Sequence, residues 1–195
     1  MPRGVAIPEV RQQLFAAVER VIARNGPGRL SGRAVTAEAG VATGLLHAHF
    51  ADLDDFLAAY AVDRAFLVSA GAGALAERVG TGDVAENLCE AIIATPPSTV
   101  GTLAKLLVAR PELAARVHGV LGDGTAGLDA IEHAVAAYLA AEQERGRVSA
   151  KASPEALALA VVGALHHLVL TTPDDVHPRL RQVVGALLGA PTKRP

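Results

Sequence analysis

The sequence predicts an all-α protein, and three observations carry that prediction. Of 195 residues, 51% are hydrophobic but only 3% are aromatic, and Trp is absent, so the core is built from Ala, Val and Leu. Ala and Leu are strong helix formers. Apolar residues recur at helical spacing from the first element onward, whereas two-residue alternation bounded by turn signals, the mark of a strand, is hard to find.

The elements follow in order. A first helix is expected over residues 8–25. Pro8 and Glu9 suit its first turn, where a missing N–H costs nothing. Val10, Leu14, Ala17, Val18 and Val21 fall on one face, and Asn25-Gly26-Pro27-Gly28 stops the helix. Ser31 then caps a short helix lined by Ala34, Val35 and Ala39, and Gly40 ends it by accepting a left-handed conformation. A second short helix is expected over residues 43–49. Asp52, Asp54 and Asp55 put negative charge at the start of a longer helix, where the helix dipole favours it. That helix carries Phe56, Leu57, Tyr60, Phe66 and Leu67, and Gly71 and Gly73 are positioned to bend or interrupt it. Gly and Pro then punctuate a series of helices, with breaks near Gly80-Thr81-Gly82, Pro96-Pro97, Arg110-Pro111 and Gly122-Asp123-Gly124. Ser153-Pro154-Glu155 opens an apolar helix, the cap being followed by Pro at the first helical position. The expected organisation is a head over residues 1–53, a helical body over 54–190 and a flexible tail over 191–195.

Composition narrows the function. The formal net charge of −2 permits a local nucleic-acid patch but not a basic protein surface. The single Cys89 excludes an intramolecular disulfide and a multi-cysteine zinc site. With Met1-Pro2-Arg3-Gly4-Val5 lacking a hydrophobic leader, a reducing cytoplasm is the expected setting. Residues 156–172 carry no Asp, Glu, Lys or Arg, yet they include His166, His167, Thr171 and Thr172. They fall short of the ~20 apolar residues of a spanning helix, so a buried helix rather than a membrane span is expected. Neighbouring helical residues point about 100° apart, so His166 and His167 do not share an ion, and His47 and His49 fail on similar grounds. No nucleophile elbow, phosphate loop, dinucleotide turn or zinc-binding His-Glu-x-x-His occurs. Neither an enzyme nor a metal or cofactor is expected.

The informative stretch runs from Ser31 to Leu57. Two short helices joined through Ala39-Gly40-Val41 have the dimensions of a helix-turn-helix, whose second helix enters the major groove. Together with the preceding helix they make a three-helix DNA-binding domain. Here the sequence resembles the TetR family. The family pattern places Ala-Gly-Val-Ser before Gly-Thr-Leu-Tyr, then His-Phe, then Lys. This chain has Ala39-Gly40-Val41-Ala42, Gly44-Leu45-Leu46-His47, His49-Phe50 and Leu53. Arg110-Pro111-Glu112-Leu113-Ala114 and Gly146-Arg147-Val148 with Ser153-Pro154-Glu155 continue the resemblance through the body.

The resemblance implies that Thr43, Gly44, Leu45 and His47 face the groove and that Arg29 and Arg33 meet phosphate. Three departures bear on affinity. Ala42 replaces a capping Ser, a cap that Thr43 is placed to supply. His47 replaces a phosphate-contacting Tyr, and Leu53 replaces a phosphate-contacting Lys. Across residues 1–60, Arg3, Arg11, Arg20, Arg24, Arg29 and Arg33 are matched in number by Glu9, Glu19, Glu38, Asp52, Asp54 and Asp55, so this stretch is net neutral. Phosphate contacts supply much of DNA affinity.

The resemblance also implies a C-terminal ligand-binding and dimerisation domain. Residues 155–170 are apolar nearly all round, which calls for burial on more than one side. A dimer interface through Leu157, Val161, Leu165, Leu168, Val184 and Leu188 is the expected outcome. Candidates for the ligand pocket are Phe66, Cys89, Ile93 and Leu103, with Leu107, His118, His133 and Tyr138. Their aliphatic character points to a mainly apolar molecule. The expected partners are therefore double-stranded operator DNA, a small-molecule effector and a second copy of the chain. The function is that of a ligand-responsive transcriptional repressor on a palindromic operator. The rival is a small-molecule-binding dimer of the same fold with weakened operator recognition.

Overall fold

Helix α1 (Ile7–Asn25) turns Val10, Leu14, Phe15, Val18 and Ile22 inward, and Leu14, Phe15 and Val18 are completely shielded from solvent. This is the apolar stripe expected of a surface helix that closes a small core. The computed structural model describes residues 7–122 and 127–189. Among them are ten α-helices and no strand.

Helices α2 (Gly32–Ala39) and α3 (Gly44–His49) pack with α1 to complete the head. Ser31 caps α2, its hydroxyl accepting from the Ala34 N–H at 3.2 Å. At the far end Gly40 is left-handed, with φ 69° and ψ 29°. Its N–H reaches Ala37 O at 3.2 Å and the Val41 N–H reaches Thr36 O at 3.0 Å. These paired bonds satisfy the last carbonyls of α2 and reverse the chain.

Helix α4 (Leu53–Gly73) starts at Asp52, whose carboxylate accepts from the Asp55 N–H at 2.8 Å. It runs unbroken through Gly71 and tightens into a 3-10 turn (Ala74–Arg78) only after Gly73. One helix serves two cores. Phe56, Leu57, Ala58 and Tyr60 pack into the head core, which also takes in Leu106 and Leu113. Ala61, Ala65, Val68 and Ala72 pack into the body core. The expected boundary after residue 53 thus falls at the start of α4, whose first turns complete the head; the expected tail, 191–195, lies outside the described residues.

The body comprises α5 (Val84–Ile92), α6 (Pro97–Ala109), α7 (Pro111–Leu121), α8 (Gly127–Glu144), α9 (Pro154–Thr171) and α10 (Val176–Leu187). Helix α8 packs on α4 and α9, α10 on α9 and α5, and α6 on α9 and α4. The α6–α9 approach depends on Gly101, where a Cβ would lie 2.8 Å from the Val169 carbonyl oxygen. Glu142 on α8 is fully buried; its carboxylate accepts from the Gly80 N–H at 3.0 Å and pairs with Arg147 at 2.7 Å. A buried carboxylate needs such partners.

Helix α9 is long and apolar enough to pass for a membrane span by composition. Ala158, Val161, Val162, Leu165, Leu168 and Val169 are buried in the core. In the single chain its burial is one-sided, however. Ala156, Ala160, Gly163 and His167 are exposed at helical spacing, and Leu159 is 60% exposed.

Candidate functional site

Helix α3 has one fully buried side chain, Leu46, which anchors it to the head core. With Leu46 inward, helical geometry turns Thr43, Gly44, His47 and Ala48 outward, and all four are exposed. Leu45 is half-buried against the head core, so less of it is open than of His47. Thr43 occupies the N-cap position of α3, but its side chain makes no capping bond, so the loss of the Ser at position 42 is not made good. Its backbone is already helical (φ −56°, ψ −35°), whereas a capping residue is usually extended. Phe50 is buried edge-on against Phe56, with ring centroids 5.0 Å apart, and thereby ties the end of α3 to α4.

The charges on the head are distributed unevenly. Arg20 and Arg24 both pair with Glu38, at 2.8 and 2.5 Å. Hydrogen bonds from Arg24 and then Arg20 hold the Glu38 carboxyl below the usual carboxylate range. Arg11 lies over the Phe15 and Phe50 rings, 5.3 and 5.6 Å from their centroids. Arg29, at the end of the 3-10 turn Pro27–Arg29, and Arg33, in the first turn of α2, are exposed. Among the described residues no ion pair ties up either of them. Arg3 lies outside the described residues. Although residues 1–60 are neutral by count, among the described residues Arg29 and Arg33 stand unengaged by acid at the start of the helix-turn-helix.

The body contains a cavity of about 210 Å³ between α4, α6, α7, α8 and α9. Ala65 and Val68 wall it from α4, and Val100, Leu103, Ala104 and Leu107 from α6. His118, Asp129 and His166 supply its polar groups. Asp129 approaches His118, with Oδ2 3.8 Å from Nε2. Of the eight pocket candidates, Leu103, Leu107 and His118 line this cavity and the other five do not. Phe66 is 60% exposed and sits in an open groove between α4 and α7. Cys89 is sealed in the body core, where burial pushes its thiol up to about 11. The Tyr138 hydroxyl accepts from Asn87 Nδ2 at 3.0 Å, and that bond sits beyond the cavity. Ile93 packs at the edge of the core, and His133 is exposed with Nδ1 2.8 Å from the Asp129 carbonyl oxygen. Sequence reading missed Ala65, Val68, Val100, Asp129 and His166. A small residue on an apolar face looks alike whether it closes a core or leaves room for a ligand.

The dimer candidates are redistributed in the same way. Val161, Leu165, Leu168 and Val184 are buried in the chain's own core and are not available to a partner, while Leu157 and Leu188 are half-buried. An all-round apolar helix conceals which face turns inward. The stripe left open is Ala156, Leu159, Ala160, Gly163 and His167, with Ala186 and Leu187 on α10.

Head and body are joined by a polar cluster. Arg64 on α4, 7% exposed, donates to Glu19 at 2.7 Å and Gln12 at 3.2 Å on α1, and to Asp63 at 2.8 Å. Thr99 on α6 donates to the other oxygen of Glu19 at 3.3 Å. Arg110, at the start of α7, pairs with Asp54 at 2.5 Å.

Residues 14–60, which span the helix-turn-helix and the first turns of α4, match the family model described as bacterial regulatory proteins, tetR family. The match is confined to this head and to the first turns of α4. No curated protein matches it in sequence. Solved structures of regulators share the whole fold. The fatty acid degradation regulator FadR from Bacillus halodurans has a TM-score of 0.68 at 17% identity, covering 98% of this chain and 100% of that one. The TetR-family regulator PfmR from Thermus thermophilus gives 0.69 at 16%, covering 93% and 99%. A transcriptional regulator from Saccharomonospora viridis, solved with choline, gives 0.67 at 18%, covering 93% and 96%. At these identities the likeness is one of fold. The chain thus has a head that matches the TetR model and a helical body that shares the fold of these regulators.

Proposed function

We propose that the chain is a dimeric repressor whose grip on a palindromic operator is modulated by a small, mainly apolar molecule in the body cavity. The observation that carries this reading is the double duty of α4. Its first turns (Phe56, Leu57, Tyr60) build the head core, and its middle (Ala65, Val68) walls the cavity. A molecule that displaces α4 must move the head with it. In the dimer the two α3 helices need a separation of roughly 34–36 Å, one helical turn of DNA, to dock together. A small tilt therefore suffices to change affinity. The Arg64–Glu19–Thr99 cluster supports the same coupling, because it links α6, another cavity wall, to α1 in the head.

On the DNA, the exposed Thr43, Gly44 and His47 face the groove beside Leu45, and Arg29 and Arg33 meet phosphate. The open apolar stripe on α9, continued on α10, supports dimerisation, since a helix apolar on both sides calls for cover on both. That the Saccharomonospora viridis protein was solved with choline supports a small-molecule effector for a body of this fold. Action on operator DNA implies a cytoplasmic setting. The experiment is selection from a random duplex library at moderate salt. Enrichment of a palindrome is expected, and no enrichment from folded, dimeric protein would overturn the operator assignment. A second reading, a small-molecule-binding dimer with weak operator recognition, is favoured by the uncapped start of α3, by Leu53 in place of a cation and by the engagement of Arg20 and Arg24 with Glu38.

A further inference from the structure

The cavity carries information about its occupant in its size and in the sign of its charge. A cavity of about 150 Å³ holds benzene. Scaled to the 210 Å³ here, that is a molecule of about eight or nine non-hydrogen atoms. The walls from α4 and α6 are aliphatic, and among the described lining residues the polar side chains are His118, Asp129 and His166. Among the described lining residues no Lys or Arg occurs, and Asp129 is the one formally charged side chain. An anionic head would meet the Asp129 carboxylate, and among the described lining residues no Lys or Arg offsets that repulsion. A cationic head would meet the Asp129 carboxylate, whose ionised form only accepts hydrogen bonds.

We infer that the effector is a compact amine, with a single ring or branched apolar body between α4 and α6 and a protonated nitrogen at Asp129. This rests on the reading of the cavity as the effector site. Asp129 opens α8 rather than lying deep in the core, and its side chain is 59% exposed in the single chain. The pairing is accordingly worth a modest factor and sets selectivity more than strength.

The test is calorimetric titration of the full-length protein with three probes of matched size: phenethylamine, propylbenzene and phenylacetate. Phenethylamine is expected to bind and phenylacetate to bind more weakly. Asp129→Asn should weaken phenethylamine about fivefold and leave propylbenzene unchanged, which also reports that the pocket is intact. Equal phenethylamine affinity in the variant, or phenylacetate binding as tightly as the amine, overturns the amine assignment while leaving the cavity as a binding site. Absence of binding by all three at millimolar concentration, in protein shown to be folded, overturns the inference and the effector-site reading together. Operator selection without added effector is untouched by any of these outcomes.

Discussion

Leu46 is the one fully buried side chain within α3, so Leu46→Ala tests how that helix is held. Removing a fully buried leucine side chain costs about 2–5 kcal/mol. The variant is expected to show that loss in urea denaturation and to lose DNA binding beyond it, because the other residues of α3 are at most half-buried. Full stability in the variant would mean that α3 is secured from elsewhere. Cys89 makes the opposite kind of prediction. Burial raises its thiol to about 11, and the thiolate is the nucleophile. In native protein at pH 8 an aromatic disulfide reagent should therefore react slowly, and denaturant should release a prompt single-thiol burst. Prompt reaction without denaturant would show that the α5 region of the body core opens readily.

In the proposed repressor the head helices determine how strongly DNA is held. Arg33→Ala is expected to weaken binding across all sequences and to reduce the salt slope of the association constant by about one; an unchanged slope would remove Arg33 from the phosphate contacts. Glu38→Gln should act in the reverse sense, because it frees Arg20 and Arg24 from an acid that neutralises them. Tighter, more salt-sensitive binding is the expected result in a filter or anisotropy titration. The same cluster has a pH dependence. The Glu38 carboxyl is lowered in the folded state, so its contribution to stability is present above the ordinary carboxylate value and is lost as pH falls through the folded value. Between head and body, Thr99→Val removes a hydroxyl from Glu19 while keeping the volume. If α6 speaks to α1 through that bond, the variant keeps its operator affinity, but the change on adding effector shrinks by about 0.5–2 kcal/mol. An undiminished effector response would leave α4 as the whole connection.

At the scale of the molecule the open stripe on α9 is where the proposed dimer is tested. Gly163 and Ala160 lie in its centre, exposed, with no atom within 4 Å of a Cβ at Gly163. Gly163→Arg should therefore leave the monomer fold intact by circular dichroism and, in sedimentation, shift dimer to monomer. A dimer that survives the change would place the interface elsewhere. A monomeric variant should also lose most operator affinity, since one head reaches only one half-site.

The all-α class, the capped start of α2 at Ser31, the left-handed turn at Gly40 and the acid-capped start of α4 were all legible in the chain itself. Each depends on local chemistry: the apolar spacing along a helix, a hydroxyl or carboxylate beside unpaired N–H groups, a residue without Cβ where φ is positive. The helix-turn-helix was legible for the same reason, because its turn is short and its side-chain requirements are local. Tertiary structure decided the rest. Val161 and Leu165 face the chain's own core while Leu159 and Gly163 face outward, a choice that an apolar helix leaves open until its neighbours are in place. The cavity unites Ala65, Leu103, Val117, Asp129 and His166 from five helices, and excludes Cys89 and Tyr138, which look equally suitable in sequence. Whether an aliphatic side chain closes a core or borders an empty volume depends on how far apart the helices behind it stand, and that distance is set by packing across the whole body rather than by any one segment.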